Sequence, residues 1–172
     1  MQNFIDATTQ KLWSFDSDVI AAEENGQYTF TDARGEALVV PATLQPYVPS
    51  AEQAADAEAA AARAALALQA SNLLAAGFSV ISTGTPEING TYATDPLSQS
   101  DIIAIETSLN AGKGFPGGAT TFEYPDAGGE MHTFAPANFT DFAAAVRDFV
   151  YGCRAVIAGK STTLPTSTTT IA

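Results

Sequence analysis

The sequence predicts an α+β fold: a small β-rich N-terminal lobe, a long alanine-rich connecting helix, a C-terminal lobe of two helices packed on a small antiparallel sheet, and an extended C-terminal tail. Three observations carry this reading. Short runs bearing large apolar residues, broken by turn formers, fill residues 1–49. After Ser50 no β-branched residue, Gly or Pro interrupts the chain until Gly77. Between 139 and 156 apolar residues recur at helical spacing, the mark of a helix that feeds a core. The divisions fall at 1–49, 50–77, 78–158 and 159–172.

In the N-terminal lobe, FIDATT and KLWSFD read as strands. YTFTDARGEALVV reads as a hairpin in which Tyr28 and Phe30 alternate with polar residues, the chain turns at 32–35, and Leu38 to Val40 pair back. DSDVIAAEENG reads as a short helix stopped by Gly26. Prolines 41, 46 and 49 keep PATLQPYVP extended and end the sheet. Trp13, Phe15, Tyr28, Phe30, Leu38 and Tyr47 are the expected small core.

Ser50 with Gln53 three residues on makes a capping box for the long helix, and Glu52, Asp56 and Glu58 complement the positive end of its dipole. A helix of this length spans ~39 Å. Eleven of the seventeen residues from 51 to 67 are alanine, and Leu66, Leu68, Leu73 and Leu74 come only toward the C-terminal end. Without a leucine heptad in the first half, a stiff spacer is the favoured reading over a self-associating stalk.

In the C-terminal lobe, FSVIST reads as a strand and ING as a turn. Asp95 and Pro96 open a helix in the order cap then first-turn proline, with Ile102, Ile105 and Leu109 on one side. TTFEYP and EMHTF read as a hairpin around residues 126–129. Pro136 opens the last helix, where Phe139, Phe142, Val146, Phe149, Cys153 and Val156 fall at spacings of 3, 4, 3, 4 and 3. Of the last twelve residues eight are Ser or Thr, a composition that does not order by itself. A sheet edge of a neighbouring chain, taking the tail as an added strand, is its expected clamp. Leu66, Leu73, Leu74, Phe139, Phe142, Val146, Phe149, Leu164 and Ile171 are the candidate interface residues.

Composition narrows the function. Seven basic residues against nineteen acidic ones give a net charge of −12, with −8 of it in the first sixty residues. Nucleic acid and anionic membrane surfaces need clustered Lys and Arg, so neither is an expected partner. No run reaches the ~18 apolar residues of a membrane span, and MQNFIDATTQ lacks the regions of a signal peptide. One cysteine excludes an intramolecular disulfide.

The chain holds little catalytic chemistry. His132 is the only histidine, so any Ser-His-Asp or Cys-His arrangement rests on one residue in a strand, where an exposed or hydrogen-bonded ring is the ordinary expectation. Cys153 lies on the apolar face of the last helix and is expected to be buried and inert. One Cys and one His do not make a structural zinc site. Asp16 with Asp18, and Glu23 with Glu24, are sequence neighbours without a cleft between them. GKGFPGG lacks the Lys-Ser/Thr of a phosphate loop and follows a helix instead of a strand. The acidic residues show no EF-hand spacing. No catalytic, cofactor-binding or metal-binding residue is assigned, and no enzyme is expected.

INGTYATDPLSQSDIIAIETSLNAG, an aromatic hairpin ending in MHTF, and FTDFAAAVRDFVYGCR together resemble a bacteriophage domain of unknown function found at the C-termini of tail-fibre-associated and tail-fibre-assembly proteins. Asn89-Gly90, Tyr92, Thr94-Asp95, Ser98-Gln99 and the amphipathic final helix with Cys153 carry the match. FIDATTQKLWSFDSDV and PATLQPYVP are similar to the head of small phage tail accessory proteins, also followed by an Ala-rich helix. The resemblance covers about residues 1–158; the glycine-rich 112–118 and the Thr-rich tail lie outside the pattern. It implies a structural tail component at the baseplate or fibre attachment, assembled in the host cytoplasm and carried in the virion. Its partners would be fibre or baseplate subunits, and it would be a homo-oligomer, with a trimer as first choice by analogy with fibres. A fibre-assembly chaperone is the alternative. The third reading is a carbohydrate-binding module stacking sugars on Tyr92, Phe115, Phe122 or Tyr124.

Overall fold

The computed structural model describes residues 1–171 and is mixed α+β, with N-terminal strands, a long helix, then two helices with small sheets. The chain forms two compact units, Met1–Ala57 and the remainder from Glu58.

The first unit holds β1 (Gln2–Asp6), β2 (Leu12–Phe15), β3 (Ile20–Glu24), β4 (Gln27–Thr31) and β5 (Leu44–Pro46). One antiparallel sheet has the order β2-β1-β5, and β3 pairs with β4. Two expectations are corrected here. The segment read as a short helix is the strand β3: Asn25 and Gly26, at φ 54° and 78°, make the two-residue turn that returns Glu24 onto Gln27. Positive φ at both turn positions matches the twist of a hairpin, and Asn-Gly is its strongest sequence signal. The hairpin expected from 28–40 is reduced to a bridge between Thr31 and Ala37 with the Leu38 N–H bond to Phe30 O and the Asp32 N–H bond to Glu36 O, while the full ladder of β4 is made with β3. The proline-rich segment contributes a strand after all, with Pro46 on the sheet edge, where a missing N–H is tolerated. Phe4, Phe15, Phe30 and Leu44 are buried; Trp13 and Tyr28 flank them half-buried, while Leu38 is exposed. Asp6 is the buried polar hub, accepting from Thr8 N–H (2.9 Å), Thr9 Oγ1 (2.6 Å) and Thr43 Oγ1 (2.6 Å).

Helix α1 (Ala51–Ala76) starts at the expected capping box: Gln53 N–H donates to Ser50 Oγ (3.1 Å) and Ser50 N–H to Gln53 Oε1 (2.9 Å). Residues 51–65 are exposed on every face of the helix, and Ala70 is buried with Leu66, Leu73 and Leu74 packed against the core of the second unit. Gly77 stops the helix at φ 87°; a Cβ there would stand 2.7 Å from Tyr92 O.

The second unit continues with β6 (Phe78–Ser82), a 3₁₀ turn (Pro86–Ile88), β7 (Gly90–Tyr92), α2 (Pro96–Asn110), β8 (Phe122–Pro125), β9 (Met131–Phe134), α3 (Pro136–Ile157) and β10 (Thr168–Ile171). Asp95 caps α2, accepting from Leu97 N–H (2.9 Å), Ser98 N–H (3.2 Å) and Ser98 Oγ (2.5 Å), as the cap-then-proline order predicts. β8 and β9 form the expected hairpin. The second sheet is β10-β6-β7, antiparallel on one side of β6 and parallel on the other. The tail expectation is thus corrected in its partner: the added strand lies on this chain's own sheet, with Thr168 opposite Ser79 and Ile171 opposite Ser82. Pro165 crosses α3 at Gly152, where a Cβ would come within 3.0 Å of the proline ring, and Leu164 packs on the core.

The nine residues named as candidate interface all belong to the core of the second unit or pack against it. Phe139, Phe142, Val146, Phe149 and Ile171 are buried, and Leu66, Leu73, Leu74 and Leu164 pack against them. The helical spacing of the α3 residues turns them into the core of their own unit.

Candidate functional site

The turn between β8 and β9 gathers the histidine with two carboxylates. Asp126 Oδ1 accepts the backbone N–H groups of Gly128 (2.8 Å) and Glu130 (2.9 Å), and its own N–H donates to Glu130 O (2.8 Å). These bonds hold the five-residue turn closed and leave Oδ2 over. Oδ2 lies 3.7 Å from His132 Nε2. His132 sits opposite Tyr124 in the ladder and is 6% exposed.

The histidine tautomer follows from its neighbours. Nδ1 is 2.6 Å from the carbonyl oxygen of Glu87, in the 3₁₀ turn. A carbonyl only accepts, so Nδ1 carries the proton and the neutral ring presents a lone pair at Nε2. Nε2 is buried and has no hydrogen-bond partner among the described residues. Glu130, two residues before His132 on the same face, completes the group: one ligand atom from each of Asp126, Glu130 and His132 lies within 4.8 Å of the others.

The surrounding backbone leaves room for this ring. A Cβ on Gly90 would stand 3.1 Å from His132 Nε2 and 3.5 Å from Asp126 Cβ. Ala127 N–H donates to Thr91 O (2.8 Å), which ties the turn to β7. Tyr92 meets the His132 ring edge-on at 5.6 Å and donates its hydroxyl to Ile88 O (2.7 Å). The Asp126 carboxyl is held below the ordinary carboxylate range, first by the Glu130 N–H, with the Gly128 N–H and His132 adding to it against burial. Burial pushes the Tyr92 phenol up, and the charge of Asp126 adds to that.

A second feature lies on the outer side of α2 and α3. Ile103 and Tyr151 are exposed, at 56% and 64%, and border a shallow groove floored by Ile102, Val146 and Val150. Arg154 Nη2 donates to Gln99 Oε1 (2.8 Å) across the groove, and Arg147 Nη1 lies 3.8 Å from Glu106 Oε1. Large apolar and aromatic side chains framed by arginines have the composition of a contact surface.

Cys153 is fully buried, and burial pushes its thiol up, as expected of an inert cysteine. The expectation for His132 is met in its hydrogen bond, and the ring is also buried with Nε2 facing the Asp126 carboxylate. Of the rings considered for stacking sugars, Tyr92, Phe115 and Tyr124 are buried and Phe122 is stacked on Phe115 at 5.5 Å. The grouping of Asp126, Glu130 and His132 escaped the reading of the sequence. Its signal is the spacing itself, since a turn closed between 126 and 130 and a period of two in β9 place all three side chains together.

No curated protein and no solved structure matches this chain. The model of one family does, over residues 52–168, from the start of α1 to the first residue of β10. That match spans well over half of the chain, and the chain belongs to the family described as domain of unknown function DUF4376.

Proposed function

We propose that this protein is a non-enzymatic structural component of a bacteriophage tail, at the baseplate or the tail-fibre attachment, acting through protein–protein contacts. The tail assignment comes from the resemblance carried by Asn89-Gly90, Tyr92, Thr94-Asp95, Ser98-Gln99 and the final helix. The observation that best supports a contact role is the α2–α3 face. Ile103 and Tyr151 stand exposed beside Arg147 and Arg154, while Ile102, Ile105, Val146 and Val150 of the same helices are buried. Exposed aromatic and apolar residues rimmed by arginine suit a partner's surface better than water.

The partner would be a fibre or baseplate subunit, and a trimer is the first choice of oligomer by analogy with fibres. Quantitative mass spectrometry of purified particles tests the reading. Peptides of this chain in fixed ratio to the tail proteins are expected. Their absence from particles whose assembly nonetheless needs the protein would replace this reading with that of an assembly chaperone. Tyr151→Ala and Ile103→Asp are expected to lower incorporation while leaving the circular dichroism of the protein unchanged.

A further inference from the structure

We propose that Asp126, Glu130 and His132 form a binding site for one divalent first-row transition ion of the zinc class, which staples the β8–β9 turn. Two carboxylates alone would say nothing of the kind. The distinguishing group is His132, more than nine-tenths buried, with Nε2 unpartnered among the described residues and aimed at Asp126 Oδ2.

The ring is prepared as a ligand. Its Nδ1–H is bound to the Glu87 carbonyl at 2.6 Å, the outer-shell contact that fixes the tautomer and orientation of a metal-binding imidazole. Asp126 is prepared in the same way, since Gly128 and Glu130 N–H groups hold Oδ1 and leave Oδ2 to bind. The spacing also fits. An ion ~2.1 Å from both atoms, the usual zinc distance, would see the 3.7 Å between Nε2 and Oδ2 subtend roughly 125°, a slightly opened tetrahedral angle. Glu130 is exposed and free to swing in as third ligand, with water filling the position toward solvent.

Charge and chemistry select the class of ion. Two carboxylates and a neutral imidazole balance a divalent cation. A nitrogen donor favours zinc, cobalt or nickel over calcium and magnesium, which take oxygen ligands. Gly90 keeps the flank of Nε2 clear, where any side chain would crowd the ion. The staple would join the turn to the 3₁₀ segment through His132 and to β7 through the Ala127–Thr91 bond.

Isothermal titration of the full-length protein with zinc chloride at neutral pH, in a buffer that does not chelate, tests the site, with cobalt(II) absorption as the report on ligand geometry. One ion per chain and a rise in melting temperature are expected. Asp126→Asn keeps the Oδ1 acceptor that closes the turn, and Glu130→Gln lies at the surface, so both are expected to fold. Each is expected to weaken binding by roughly tenfold or more and to cancel the rise in melting temperature. His132→Gln is expected to abolish binding; if it does not fold, the two carboxylate variants decide. No saturable uptake, or uptake that Asp126→Asn and Glu130→Gln leave unchanged, would overturn the proposal. Neither result bears on the tail assignment, which does not depend on a bound ion.

Discussion

The two units of this chain are held together by different means. In the first, four apolar side chains (Phe4, Phe15, Phe30 and Leu44) are buried, and the rest of the order comes from short ladders, tight turns and the hydrogen bonds around buried Asp6. In the second, nineteen of the described residues are buried in one cluster, in which Tyr92, Tyr124, Phe134, Phe139 and Phe142 meet ring to ring. A domain of about sixty residues buries only ~60% of its unfolded surface, so each large side chain carries a bigger share of the stability. The lesson is that an aromatic cluster of similar chemistry is a redundant core in one unit and a minimal one in the other.

Paired substitutions test this contrast most strongly. Phe30→Ala and Phe142→Ala each remove a ring that is 2% exposed or less, at a cost of about 3–5 kcal/mol. In the first unit that loss is expected to abolish protected amides in β1 to β5 altogether. In the second it is expected to lower the urea midpoint and leave a folded unit. Equal survival of both units in hydrogen exchange would remove the distinction.

The tail comes next. Ile171, 8% exposed at the end of β10, is expected to cost the second unit about 2–3 kcal/mol when replaced by alanine, read by urea denaturation. Removal of residues 160–172 is expected to lower the stability of that unit without changing the number of chains per particle in light scattering, because β10 pairs within its own chain. A fall in the number of chains per particle on truncation would restore a neighbouring chain as the clamp.

Gly77→Ala is expected to cost the second unit about 1–3 kcal/mol, through left-handed backbone at φ 87° and a Cβ 2.7 Å from Tyr92 O. A neutral result would mean that the end of α1 shifts freely against β7.

The mildest test is acid. Thr43 and Thr9 hydroxyls, then the Thr8 N–H, lower the Asp6 carboxyl from 3.8 to about 2. The unfolded chain therefore binds this proton more readily, so the stabilisation is complete above pH ~4 and drains away as the pH falls toward 2. Asp6→Asn is expected to flatten that part of the first unit's acid transition, monitored by Trp13 fluorescence. An unchanged transition would assign acid sensitivity to other carboxylates.

Much of this architecture was legible in the residues. The three helices, their caps at Ser50 and Asp95, the stop at Gly77 and the β8–β9 hairpin all rest on local rules, and local rules are visible in one chain. β3 was misread because its alanines and glutamates favour a helix, while the Asn25-Gly26 turn and the pairing with β4 decide otherwise. The α3 seam was read as a face that feeds the C-terminal core, and it does; periodicity marks such a face without saying which strands cover it. The histidine site was partly legible, since the spacing of Asp126, Glu130 and His132 is local. What stayed hidden is the group that orients the ring, a backbone carbonyl at Glu87, 45 residues away and without any side-chain signature.

The tail assignment with its contact face on α2 and α3 is open to one direct observation. A cryo-electron microscopy map of the assembled tail is expected to contain density fitting residues 78–171, with Ile103 and Tyr151 covered by a neighbouring tail protein. A map with every tail protein accounted for and no density for this fold, or with that helical face bare to solvent, would contradict it.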